Sequence, residues 1–218
     1  MVPGYPVILV EGLDGVGKST LVNALTDALG ATLVANPLSL PDPANPEMDL
    51  RIRMDQAPEP VRREYYRCAN FHASLLIDEA RQHGPVVVDR YWPSTAGFAL
   101  LDERPPVWES IGTWPGGLVE PDIMFLLTVD EHARTKRMHG RGIAITDEEL
   151  RLSQSTVARE RVNCALRCFE PIEIDTSYLD PDEVLEEVME WLFQAGIPFD
   201  ENGFQVLANS TSSSISPG

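Results

Sequence analysis

The stretch ILVEGLDGVGKSTLVNAL, residues 8 to 25, joins an apolar run to a helix-like one through a glycine-rich turn. Gly12, Gly17, Lys18 and Ser19 satisfy the pattern G-x-x-x-x-G-K-[ST], with a strand-like segment before and a helical one after, the context that gives the pattern its meaning. Glycines let successive backbone N–H groups turn inward around an anion, and the following helix adds the positive end of its dipole. Only two lysines occur in the chain, Lys18 and Lys136, so a lysine at this spot is selective. Its ammonium is a compact charge that can follow a moving phosphoryl group, whereas the arginine fork is bulkier and more directional. The Ser19 hydroxyl is placed to complete a magnesium shell with phosphate oxygens and water.

The rest of the chain fits an α/β layer fold around this loop. Near-continuous apolar runs at PVILVEG, ATLVAN, PVVVDR, DIMFLLTVD and PIEIDTS suit strands buried on both faces of a parallel sheet. Helical patterns separate them, giving an open α/β arrangement. Leu21, Leu25, Ala28 and Leu29 form a stripe that Gly30 ends. Val61, Tyr65, Ala69, Ala73, Leu76 and Ala80 form a second, on a helix predicted from Glu59 to His83 and stopped by Gly84 and Pro85. Thr146 and Glu149 predict a capping box opening a helix that runs to about Arg167. Asp180, Pro181 and Glu183 open the last helix, with Val184, Val188, Trp191 and Leu192 expected to face inward. Pro37 to Pro46 reads as a loop. The domain is expected over 1–206, with 207–218 a disordered Ser/Thr-rich tail.

Charge narrows the partners. A formal net charge of −17 over 218 residues argues against broad phosphate neutralisation on nucleic acid and against docking on anionic membranes. Cations that hold a phosphate must therefore be gathered locally. Cys68, Cys164 and Cys168 lack metal-type spacing and read as reduced structural thiols. The first residues, MVPGYPVILVEG, contain no basic residue and resemble neither a secretory signal nor a transit peptide. A cytoplasmic location is the expectation, or an organellar one if a longer precursor exists. The four histidines form no triad with a nucleophile. Trp108 and Trp114 sit in a Gly/Pro-rich insertion, where they either cover a site or stabilise a loop.

The second half of a phosphate site lies in PVVVDRYWPSTAGFAL. Asp89 ends a buried strand, where a carboxylate can hold magnesium through water. Arg90 follows at the carboxyl edge, where open α/β sheets bind ligands. No N-K-x-D guanine motif exists, because Lys18 and Lys136 follow Gly17 and Thr135. Taken in order, EGLDGVGKST, DRYWPSTA and FLLTVDEHARTKRMHGRG resemble the thymidylate kinase family of nucleoside monophosphate kinases. The DRYWPSTA string is especially similar to the mitochondrial UMP–CMP kinase branch. The resemblance implies a P-loop, three-layer α/β/α fold with a five-stranded parallel sheet, a mobile lid (about 134–146), magnesium-ATP as donor and often a homodimer. It further implies that Gly12, Leu13, Asp14, Gly15, Val16, Gly17, Lys18, Ser19 and Thr20 hold ATP, together with Arg137 and Arg141. Asp14 should approach the acceptor sugar, Arg90 should bridge donor and acceptor phosphates, and Arg141 should belong to the lid. Lys18, Arg90 and Arg141 are thus the catalytic candidates, and Ser19 and Asp89 the metal candidates.

The lid also has a physical argument. Asp130 can cap a helix carrying Arg134, Arg137 and Arg141 on roughly one face, and Gly140 and Gly142 flank Arg141. A phosphoryl-transfer transition state needs such cations. The alternative is a solvated basic helix end. In EYYRCANFHAS, Phe71 stands where thymidylate kinases commonly place an arginine that addresses thymine. Tyr66, Arg67, Asn70 and Ser74 lie opposite the apolar stripe, so a ring beside a carboxamide can stack on and read a pyrimidine edge; the alternative is an ordinary exposed helix face. The acceptor candidates are therefore Asp14, Tyr66, Arg67, Asn70, Phe71 and Arg90. The expected activity is ATP-dependent phosphorylation of UMP, CMP, their deoxy forms or dTMP. Rival readings are a dTMP-specific kinase, a deoxynucleoside kinase with a general base near its acceptor hydroxyl, and a nucleotide-dependent switch.

Overall fold

All five apolar runs enter one sheet. The computed structural model describes residues 4–102, 110–139, 152 and 155–197. In chain order it contains β1 (Val7–Gly12), α1 (Lys18–Leu29), β2 (Thr32–Ala35), β3 (Pro41–Asp42), β4 (Asn45–Asp49), α2 (Leu50–Asp55), α3 (Glu59–Ala80) and β5 (Val86–Asp89). There follow α4 (Trp92–Ala99), β6 (Ile123–Thr128), α5 (Glu131–His139), α6 (Thr156–Arg167), β7 (Ile172–Asp175) and α7 (Pro181–Gln194). The main sheet has the order β2-β5-β1-β6-β7, with every neighbouring pair parallel. Strand β1 lies at its centre, in register with Val86–Asp89 on one side and Ile123–Leu127 on the other.

Period-two alternation along the strands splits the core into two layers. Ile8, Val10 and Val87 face α1, α6 and α7 through Leu21, Leu25, Val162, Leu166 and Val188. Val7, Leu9, Val86 and Val88 face α3 and α4 through Ala73, Ile77, Trp92 and Ala96. Each fully buried aliphatic side chain contributes roughly 1.5–3 kcal/mol of transfer free energy, so the two layers anchor the sheet edge where the loops meet.

Several expectations shift at the periphery. The Pro37–Pro46 stretch is not all loop: β3 and β4 pair antiparallel, and the Asp42 carboxylate accepts from the Ala44 N–H at 2.8 Å to turn the chain. Helix α6 starts at Thr156, because Ser155 is extended and its hydroxyl caps the Ala158 N–H. The Thr146–Glu149 capping box lies outside the described residues, as do the tail, Trp108 and most of the expected lid. Trp114 answers the question its loop raised: it packs between Tyr91 and Phe169, and Trp92 Nε1 donates to the Thr113 carbonyl at 2.9 Å. The ring stabilises the loop. Cys68, Cys164 and Cys168 are free and exposed. Among the described residues no helix is long and apolar enough to cross a membrane.

Helix α7 opens as its sequence predicts. Asp180 accepts from the Asp182 and Glu183 N–H groups, and Glu183 reaches back to the Asp180 N–H at 2.8 Å. Val184, Val188 and Leu192 are buried, but Trp191 is 39% exposed, at the margin of the helix's inner face. Asp180→Ala should lower stability by about 1 kcal/mol, the usual cost of losing such a cap. A urea midpoint unchanged from the parent would show that the box contributes nothing.

Candidate active site

The loop between β1 and α1 holds a shape that only glycine permits at its ends. Gly12 has φ 147°, and a Cβ there would stand 2.8 Å from the Leu127 carbonyl oxygen. Gly17 caps α1 with φ 96°, and its carbonyl accepts from the Thr20 and Leu21 N–H groups. The side chains of Leu13 and Val16 turn into the core. Leu13 and Val16 therefore offer a ligand only backbone. Gly15 closes against Arg134 and Met138, whose side-chain atoms lie 3.0–3.3 Å from the place of a Cβ.

A cleft of about 310 Å³ opens on one side of this loop. Its lining includes Asp14, Lys18 and Ser19 from the loop, Asn36 and Pro37 after β2, and Arg51 and Asp55 from α2. Arg63 and Tyr66 of α3, Asp89 and Arg90 after β5, and Ser94, Thr95 and Phe98 of α4 complete most of the wall. Four cations and three carboxylates therefore face one cleft in a chain of net charge −17. A second cleft of about 630 Å³ opens on the other side of the loop, lined by Gly17, Thr20, Lys136, Arg137, Thr176 and Ser177 among others, and by no carboxylate among the described residues.

The charged groups are coupled across the first cleft. Lys18 is 9% exposed, and its Nζ pairs with Asp89 Oδ1. Burial, then the neighbouring Arg90, pushes the Lys18 ammonium below its ordinary pKa, and Asp89 opposes both. Arg90 donates to Asp14 Oδ1 at 2.8 Å and to Ser94 Oγ at 3.3 Å. Burial works against the Arg90 charge, but Asp14, Glu11 and Asp89 outweigh it and raise its pKa. Its backbone sits at φ 64°, a left-handed conformation uncommon for a non-glycine residue.

Behind this pair is Glu11, a residue the sequence reading did not single out. It is fully buried and accepts from the Tyr91 N–H at 2.9 Å, the Ser94 N–H at 3.2 Å and the Ser94 hydroxyl at 2.6 Å. Desolvation pushes its carboxyl up, partly countered by Arg90 and those hydrogen bonds. The signal was available: an acid inside the apolar run VILVEG is too costly to bury without partners. Asp102 plays a similar role further out, accepting at 2.9 Å from both Arg62 and Arg63 and so fixing Arg63 at the cleft wall.

Helix α3 buries the C-terminal half of its expected stripe, with Ala73 in the core and Leu76 and Ala80 packed against it, but not its start. Val61 is half exposed, whereas Arg63, Asn70, Ser74 and Ile77 are also buried. The polar members can be interior because each finds partners: Arg63 on Asp102 and the Phe98 carbonyl, Asn70 on Asn36, Tyr66 and Thr95, and Ser74 on the Val119 N–H. Of the acceptor candidates, Asp14, Tyr66 and Arg90 line the first cleft, with the Tyr66 hydroxyl donating to Asp55 at 2.5 Å. Arg67 and Phe71 are not in that lining; Arg67 lies 4.0 Å from Glu64, and Phe71 is on the exposed side near Gly117. Asn70 is fully buried behind the wall.

The basic helix divides in the same way. Arg134 is buried and bonded to Glu131 at 3.0 Å, a structural pairing rather than a cleft-facing charge. Arg137 lines the second cleft and donates to the Thr176 hydroxyl at 2.9 Å and carbonyl at 2.7 Å. Arg141 lies outside the described residues. Asp130 does cap this helix, accepting from the Ala133 N–H at 2.8 Å.

Known proteins are similar to this chain in sequence and in fold. The family model for thymidylate kinase matches residues 10–190. Human mitochondrial UMP-CMP kinase 2 is 34% identical over 173 residues, covering 76% of this chain and 37% of that protein. A thymidylate kinase of Xanthomonas euvesicatoria pv. vesicatoria is 30% identical over 156 residues, covering 65% of this chain and 64% of that protein. The chain thus spans less than two thirds of either relative's length. Among solved structures, a thymidylate kinase from Candida albicans superposes with a TM-score of 0.65 at 21% identity, over 92% of this chain and 94% of the other. A deoxyadenosine kinase from M. mycoides gives 0.58 at 18% identity, over 86% and 99%. Identities that low speak to fold alone. The family match covers the loop, the end of β1, the other four strands of the sheet and both clefts, and on that ground the chain belongs to the thymidylate kinase family.

Proposed function

We propose that this chain transfers the γ-phosphoryl group of ATP to a pyrimidine nucleoside monophosphate, giving the diphosphate. The observation that carries the proposal is a phosphate loop with a cationic cleft on each side. A donor in the second cleft and an acceptor in the first would meet at Lys18. Each would be held at the carboxyl edge of the sheet, positioned for in-line transfer without a covalent enzyme intermediate.

Lys18 would leave Asp89 to follow the transferred group, and Arg90 would neutralise charge between donor and acceptor while Asp14 keeps its guanidinium aimed. Ser19 and Asp89 fit magnesium: both line the cleft with oxygen donors, and a hard cation that keeps several waters needs only one or two protein oxygens. Magnesium held by Ser19 and Asp89 would supply charge neutralisation for phosphoryl transfer. Arg137 would face the donor, and Arg141 would supply a lid cation.

An anionic acceptor is favoured over a neutral nucleoside. Lys18, Arg51, Arg63 and Arg90 all border the acceptor cleft. Phosphorylating a hydroxyl would call for a general base, and the three carboxylates of this cleft are engaged elsewhere, Asp14 with Arg90, Asp89 with Lys18 and Asp55 with the Tyr66 hydroxyl. The DRYWPSTA string and the human relative support UMP, CMP or their deoxy forms. These should be used at least as well as dTMP, read as side-by-side kcat/KM values. A strong preference for dTMP would make the chain a thymidylate kinase proper.

A further inference from the structure

Arg90 carries its charge on a turn that its own backbone does not favour. The residue sits at φ 64°, and Tyr91 after it is the N-cap of α4 but gives the helix no side-chain cap. The neighbouring strand β1 supplies what the turn lacks. The Arg90 N–H donates to the Val10 carbonyl at 3.2 Å. Glu11 Oε1 accepts from the Tyr91 N–H at 2.9 Å and from the Ser94 N–H at 3.2 Å, so a carboxylate from another element caps α4. Desolvation alone would favour the neutral acid; Arg90, the Ser94 and Tyr91 hydrogen bonds and Lys18 oppose it.

The second carboxylate oxygen has a different task. Ionised, it can only accept, so the Ser94 hydroxyl, 2.6 Å from Glu11 Oε2, commits its single proton there. Ser94 Oγ then has only lone pairs to offer, and it receives Arg90 Nη1 at 3.3 Å. Asp14 holds the other end of the guanidinium, accepting from Nη2 at 2.8 Å. The group is thus gripped at two points, and one of them depends on where Glu11 draws a proton. Ser94 and Arg90 border the first cleft, and the fully buried Glu11 stands behind them.

We infer that Glu11 is a positioning residue for phosphoryl transfer, acting on Arg90 through the Ser94 hydroxyl. The inference rests on the monophosphate-kinase reading, in which Arg90 neutralises charge between donor and acceptor, and deepens it. A guanidinium already aimed needs no reorientation as charge develops, so its contribution falls on the transition state rather than on ground-state binding. Glutamine has nearly the shape of glutamate but one accepting oxygen. With that oxygen on the Tyr91 and Ser94 N–H groups, its amide faces Ser94 as a donor and the hydroxyl proton loses its anchor. The proton can then turn toward Arg90, and the grip fails without a cavity being opened.

The test measures kcat, acceptor KM and urea midpoint for Glu11→Gln, Ser94→Ala and Arg90→Ala, singly and combined. The full chain is used with magnesium-ATP and the best of CMP, UMP and dTMP as acceptor. Glu11→Gln should lower kcat by about 10–10²-fold, the scale of a small misplacement of a catalytic group. Ser94→Ala should lower it by about tenfold, with acceptor KM changed by less than about threefold in both. In an Arg90→Ala background neither substitution should reduce kcat/KM by more than about threefold, because the group they aim is gone. Losses that multiply with that of Arg90→Ala would overturn the inference, since a purely structural role acts whether or not Arg90 is present. Unchanged kcat in a folded Glu11→Gln variant would overturn it too. Should Glu11→Gln fail to fold, Ser94→Ala and its combination with Arg90→Ala decide the question alone. Should the wild-type chain phosphorylate no monophosphate, the kinase reading falls and takes this inference with it.

Discussion

Lys18→Ala should lower kcat by about 10³-fold and move Tm by only a few degrees, the scale set by removing one pre-organised charge from a transferring group. The stability half of this expectation comes from the ion pair with Asp89. Lys18 is held against its solvation preference: burial and Arg90 both depress its pKa, and Asp89 offsets them. Deleting it removes that desolvation penalty together with the attraction, so the two changes largely cancel. Asp89 keeps access to water, its side chain being 22% exposed. Lys18→Arg should restore little, because the guanidinium fork is bulkier and cannot track the moving group. Turnover near wild type in both variants would remove the phosphate loop from the mechanism.

Arg90 allows charge and backbone to be separated. Arg90→Ala and Arg90→Gly should each reduce kcat/KM by about 10²–10³-fold, since both delete the guanidinium that Asp14 and Ser94 aim into the cleft. Their stabilities should differ. At φ 64° an alanine retains the Cβ strain of the left-handed region, so the glycine variant should be more stable than the alanine variant by about 1 kcal/mol. Equal unfolding midpoints would mean that the backbone at Arg90 relaxes once its ion pair is gone. Activity in the glycine variant alone would make Arg90 a conformational residue rather than a catalytic one.

The parts legible in the sequence are those where local chemistry and global fold agree. β1, β5 and β6 are apolar on both faces because both faces are covered, and their runs needed no context. Gly12, Lys18 and Asp89 could be placed because each answers a local demand, for a positive φ, a mobile charge and a strand-end carboxylate. The polar side of helix α3 was misread because periodicity assigns polar residues to water. Arg63, Asn70 and Ser74 are buried on partners 25 to 45 positions away in the chain. No window of sequence contains both ends of such a bond. Asn36 was missed for the same reason, its partner Asn70 being 34 positions away. Glu11 was legible in principle, as an acid inside a buried strand, but its ligands Tyr91 and Ser94 come from a different strand–helix junction.

The claim that an anionic acceptor meets ATP at Lys18 is tested most directly by following the label from γ-labelled ATP. The wild-type chain would be incubated with magnesium and either a pyrimidine nucleoside monophosphate or the matching nucleoside, and the products separated. The account predicts label in a nucleoside diphosphate, as its β-phosphate, and none transferred to the nucleoside. Label appearing in a nucleoside monophosphate, or only in inorganic phosphate with every acceptor present, would contradict it.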